Sequence, residues 1–134
     1  MALTADRNTP MMDAELINVP VAASTKIYAG SIVAANASGY ATKGAVATTL
    51  TFLGRAEEQV DNSSGANGAK TINVRRRAAF KFKNYGSDAV TQAELGKTCY
   101  IYDDETVAKT NGTATRSAAG IVVGVDTDGV WVQS

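Results

Sequence analysis

KTINVRRRAAFKFK, residues 70–83, is the best-phased segment of a 134-residue chain. Side chains alternate across a strand, so Ile72, Val74, Ala78, Phe80 and Phe82 fall on one side and Asn73, Arg75, Arg77, Lys81 and Lys83 on the other. One face is a core face and the opposite face is a basic stripe. The preceding Asp61–Ala69 is built of Asn, Ser, Gly and Ala, and Leu50–Val60 comes before it. Together the three segments read as a long hairpin, with Leu50–Val60 and Lys70–Lys83 as its arms. Arg76 stands in the apolar phase, which predicts either a bulge or a buried guanidinium paired with a carboxylate such as Glu57.

The flanking sequence has the same character. Alternation begins in Ala14–Val21, where Ile17, Val19 and Val21 form the core phase; Pro20 has no N–H for a ladder and places this strand at an edge or ends it. Lys26–Tyr28 and Ser31–Ala35 read as short strands around an Ala29-Gly30 turn, and Asn36–Gly39 turns the chain into a third over Tyr40–Lys43. Asp88–Gly96 holds the one plausible helix, scarcely more than a turn, with Thr91 and Glu94 at capping-box spacing and Gly96 at the cap. Lys97–Tyr102 and Thr106–Lys109 pair across Asp103-Asp104-Glu105, while Ser117–Val125 and Val130–Gln133 form a closing hairpin around Asp126-Thr127-Asp128-Gly129. Short strands at this spacing predict an all-β fold, a small antiparallel β-barrel or sandwich with at most one short helix. Residues 14–134 are expected to form a single β domain and residues 1–13, which show no steady period, an extended N-terminal arm.

Composition narrows the chemistry. Histidine is absent, Cys99 is the sole cysteine, and thirteen basic residues balance thirteen acidic ones. The commonest acid/base, nucleophilic and metal-binding tools are therefore scarce, and no Walker or dinucleotide motif occurs, so neither an enzyme nor a cofactor is expected. Cys99, between Thr98 and Tyr100 in a strand, reads as a packed thiol. Asp126-Thr127-Asp128-Gly129 matches the opening of a calcium loop, but the closing Glu is missing and hairpin chemistry explains it better; Asp103, Asp104 and Glu105 read as a solvated turn. No run of about 18 apolar residues and no secretory leader are present, which predicts a protein made in the cytoplasm with no membrane contact. The two Asn-X-Ser/Thr sequons, at Asn62 and Asn111, then read as chance matches in polar loops.

Two features point to a surface. Met11 and Met12 close the arm with flexible apolar side chains suited either to a partner's groove or to folding back on the domain. The stripe of Arg75, Arg77, Lys81 and Lys83 fits a solvated face or docking on an acidic protein surface. Nucleic acid is disfavoured, because stacking aromatics would be needed beside the cations and Phe80 and Phe82 point the other way.

The opening Met1-Ala2-Leu3-Thr4, the run Ile27 to Val33, Leu53-Gly54-Arg55-Ala56, and Gly120 to Val125 continuing through Gly129-Val130-Trp131-Val132 resemble tailed-bacteriophage head proteins, specifically capsid decoration or cement proteins. The resemblance implies a β-tulip or jelly-roll-like body and a virion protein on the outer surface of the phage head. Its partner would be the major capsid protein, whose subunits it bridges against the pressure of packaged DNA. It also implies a homo-oligomer on the capsid, a trimer or a dimer, although some cement proteins bind as single copies. On this resemblance the capsid-binding residues are Arg7, Pro10, Met11 and Met12 of the arm together with Arg75, Arg77, Lys81 and Lys83. The alternative is a carbohydrate- or receptor-binding module of a fibre or tail, with Tyr28, Tyr40, Tyr85, Tyr100, Tyr102 and Trp131 as aromatic platforms.

Overall fold

The computed structural model describes residues 2–134. Its strands are β1 (Leu16–Pro20), β2 (Thr25–Ile27), β3 (Ile32–Ala35), β4 (Ala41–Lys43), β5 (Thr51–Ala56), β6 (Val60–Asn62), β7 (Thr71–Arg75), β8 (Ala79–Asn84), β9 (Thr98–Ile101), β10 (Thr106–Ala108), β11 (Ala118–Asp126) and β12 (Gly129–Gln133). The fold is all-β: helical geometry among the described residues is confined to 3₁₀ turns at Gly86–Asp88 and Gln92–Glu94. Thr91 and Glu94 make the expected capping box, yet the turn they cap does not lengthen into an α-helix.

Strands β10-β8-β12-β11-β9 close into a barrel, β1-β7-β5-β3-β4 form a five-stranded sheet, and β2 pairs with β6 as a ribbon. Pairing is antiparallel apart from β10 with β8. The five-stranded sheet also curls toward closure. Just beyond β1, Val21 bridges Ala41 of β4, and the Ala22 N–H donates to the Ala41 carbonyl at 2.9 Å. Pro20, lacking a donor, ends an outer strand.

Two apolar interiors result. Phe80, Phe82, Val90, Cys99, Ile101, Val107, Val122, Val130 and Val132 fill the barrel, joined by Ile32 and Ala34 of β3. Val33, between those two, turns the other way to meet Val21, Ile27, Ala56, Val60, Ile72 and Val74 under the ribbon. Strand β3 is thus a wall shared by both cores, which is why its apolar run is continuous rather than alternating. Gly54 allows β5 to bulge against that wall: a Cβ there would lie 2.1 Å from the Arg75 carbonyl oxygen, so only glycine fits.

The long hairpin is corrected in both arms. Residues 70–83 form two strands: β7 belongs to the five-stranded sheet, β8 to the barrel, and Arg76–Ala78 turns the corner with Arg77 at φ 56°. Leu50–Val60 divides likewise, because β6 leaves to pair with β2, and only Arg55↔Arg75 and Ala56↔Val74 remain as hairpin pairs of β5 and β7. Ala78 is exposed at the corner instead of buried. Arg76 is half-buried and its Nε donates to the Leu53 carbonyl at 3.1 Å, while Glu57 pairs with Arg55 and Arg75. A carbonyl suffices because the residue is only half-buried, so its charge needs no buried carboxylate.

Candidate docking surface

Residues 2–13 carry no strand or helix and are exposed throughout, Arg7 and Pro10 included. Met11 is 96% exposed, Met12 76% and Leu3 73%. The segment joins the body where the Glu15 carbonyl accepts the Arg76 N–H at 2.7 Å, beside the corner between β7 and β8.

The basic stripe is interrupted by that same corner and largely matched by acids. Arg75 on β7 shares Glu57 with Arg55, at 3.3 and 3.0 Å, and hydrogen bonds from Arg75 first and Arg55 second hold the Glu57 carboxyl below its ordinary value. On β8, Lys81 Nζ sits 2.6 Å from Asp128 and 3.3 Å from Asp126, and Lys83 Nζ sits 2.7 Å from Glu105. Asp128 and Glu105 respectively are the main causes that raise these two lysines above their ordinary value. Arg77 differs: it is exposed, its backbone N–H donates to Ser134 Oγ at 2.8 Å, and it has no ion pair among the described residues. Of the four stripe cations, it alone keeps its charge unmatched toward solvent.

The outer face of the barrel carries an apolar patch, of which the sequence marks only Trp131, as a possible aromatic platform. Val122, Val130 and Val132 point inward, so their neighbours Ile121, Val123 and Trp131 point out, at 40%, 43% and 38% exposure. Trp131 is fixed there by its indole N–H, which donates to Asp126 at 2.9 Å, and Lys81 lies 5.8 Å above the ring. Next to Ile121 runs a groove of about 420 Å³ between β5 and β11, lined by Leu50, Phe52, Ala119, Ile121, Gln133 and Ser134. Period-2 alternation in β11 and β12 was the available signal, masked by apolar residues on both faces of β11.

Of the six aromatic platform residues, only Tyr85 and Tyr102 stack among the described residues, with centroids 3.8 Å apart and planes at 16°. Arg116 lies 5.4 Å from both rings and pairs with Asp88 at 2.9 Å. Cys99 is buried and its thiol is pushed up to about 12 by that burial, which leaves it unreactive. Among the described residues no group of three or more His, Cys, Asp or Glu is placed to hold a metal ion. No protein-family model matches the chain, and neither the curated proteins nor the solved structures contain a match to it.

Proposed function

We propose that this protein is capsid cement: it binds the outside of an expanded tailed-phage head, bridges neighbouring major capsid subunits and holds them against the pressure of packaged DNA. The observation that supports this reading most is an exposed arm on a body with few free strand edges. One sheet is a closed barrel and the outer strands of the five-stranded one are linked through Val21 and Ala41, so strand addition is left mainly the edges of the short β2–β6 ribbon. Contacts then fall to side chains and to the arm, whose residues 2–13 span up to about 40 Å when extended. Modest contacts of this kind add up over many copies on a shell.

Shell contact on this reading runs through Arg7 and Pro10 of the arm and Arg77 at the β7–β8 corner. Arg75, Lys81 and Lys83, already matched by acids, act mainly in holding the strands around them. Co-sedimentation with expanded empty heads tests the proposal: the protein should saturate at a fixed ratio to the major capsid protein. Reversing both free charges, Arg7→Glu with Arg77→Glu, should weaken binding most at low salt, since exposed charges are screened over about 10 Å at 0.1 M. Failure of the unaltered protein to bind competent heads would overturn the reading and favour a carbohydrate-binding module, for which the cleft of Tyr28, Asp104 and Glu105 is the place to look.

A further inference from the structure

The arm and the barrel face carry a matched apolar surplus. Leu3, Met11 and Met12 stand in solvent on the arm, and Ile121, Val123 and Trp131 stand in solvent on the barrel, beside a groove whose floor is Leu50, Phe52 and Ala119. Each chain has one arm and one groove, so the two occur one to one in any population of copies. They do not meet within a chain: Met11 is 96% exposed.

The root of the arm lies at the rim of the groove. Arg76 holds Glu15 at the corner, the next residue, Arg77, donates its N–H to Ser134, and Ser134 lines the groove. A second copy presenting the same corner therefore brings each arm to the other's groove, the self-complementary contact of a twofold pair. From this we infer that the arm of one copy lies in the β5–β11 groove of a second copy, with Met11 and Met12 against Leu50, Phe52, Ala119 and Ile121. Unbranched thioethers fill an irregular groove of this kind without demanding a fixed shape. The rim suits the polar part of the arm, since Gln133 and Ser134 offer hydrogen-bonding groups there. Arg7 and Pro10, nearer the start of the arm, stay free to contact other surfaces. The inference goes beyond the shell reading and is measured with no shell present, so either can fail alone.

Cysteine pairing between distinguishable chains tests it, with the buried Cys99 as a silent background. Chains carrying Met11→Cys are mixed under oxidised glutathione with mass-tagged chains carrying either Ile121→Cys or, as a control on the exposed loop after β6, Ser63→Cys. The arm-to-groove pair should give about tenfold more mixed disulfide dimer than the control, because seating the arm raises the effective concentration of the two thiols. Light scattering of the unaltered protein should give a mass above one chain, and the full-length Met11→Asp, Met12→Asp variant should fall back to one chain. Equal yields from the two pairs, or an unaltered protein that stays monomeric, would overturn the inference. So would a chain carrying both Met11→Cys and Ile121→Cys that closes only on itself.

Discussion

Asp88 ties together segments far apart in the chain. It accepts from the Thr110 hydroxyl and N–H, the latter at 3.0 Å, and from Arg116 Nη1 at 2.9 Å, while the same nitrogen of Arg116 donates to the Thr110 carbonyl at 3.1 Å. The Thr110 hydroxyl is the main cause that holds the Asp88 carboxyl below its ordinary 3.8, with the Thr110 N–H and Arg116 adding to it. A carboxyl lowered by folding stabilises the protein above its unfolded value, and the stabilisation is lost as pH falls through the folded value. Glu57, Asp61, Glu94 and Asp126 are lowered too, chiefly by Arg75, Ser63, the Thr91 N–H and the Trp131 indole in turn, so all five act in the same direction. Acid should therefore destabilise the fold from about pH 4 downward. The Asp88→Asn variant isolates one member of the set: its urea midpoint should lie below that of the unaltered protein at pH 7, and the gap should narrow as pH falls below about 4, where Asp88 of the unfolded chain takes up its proton before the folded one does. A gap of constant size across that range would assign the loss to shape rather than charge.

The corner between β7 and β8 concentrates both the strain and the lesson of this chain. Arg77 adopts φ 56°, a left-handed conformation that costs an L-residue about 1–2 kcal/mol and suits a β-branched residue least. Arg77→Gly should therefore stabilise by up to about 1–2 kcal/mol in urea unfolding, and Arg77→Val, stiffer at its branched Cβ, should destabilise. Equal losses from both would mean that the arginine side chain, not its backbone, matters at the corner. The break was hidden in the sequence because Ile72 and Val74 share parity with Phe80 and Phe82, although the first two enter one core and the last two the other. Three corner residues preserve the alternation while the chain changes sheets, so periodicity alone reads one strand. Most of the short strands and their turns were legible, since each is bounded by Gly, Asn or Asp, as at Asn36–Gly39 and Asp126–Gly129. Partners were not legible: β2 pairs with β6 across the intervening sheet strands, a choice set by the second core. The candidate surface follows the same division. The absence of strand and helix from residues 2–13 could be read from their lack of period, whereas the acids that match Arg75, Lys81 and Lys83 arrive from other strands and turns.

On the proposed reading the protein is held on a shell under tension and is most useful if its body yields as a unit, and the shared wall bears on whether it does. Ile32 and Ala34 belong to the barrel interior and Val33 to the other, all three fully buried, so neither core can lose β3 without exposing the second. Coupling of this kind makes unfolding a single transition. Trp131, the only tryptophan, reports from the outer face of the barrel, and Ile72 lies fully buried in the other interior. Replacing Ile72 by Ala removes buried methyl groups from the interior that the tryptophan does not belong to and should cost about 2–5 kcal/mol. If β3 couples the cores, the Trp131 fluorescence midpoint in urea moves down as far as the midpoint followed by far-ultraviolet circular dichroism. A fluorescence midpoint that stays in place while the dichroism curve splits in two would mean that the barrel folds without its neighbour, and that any stiffness the protein lends a shell comes from the barrel alone.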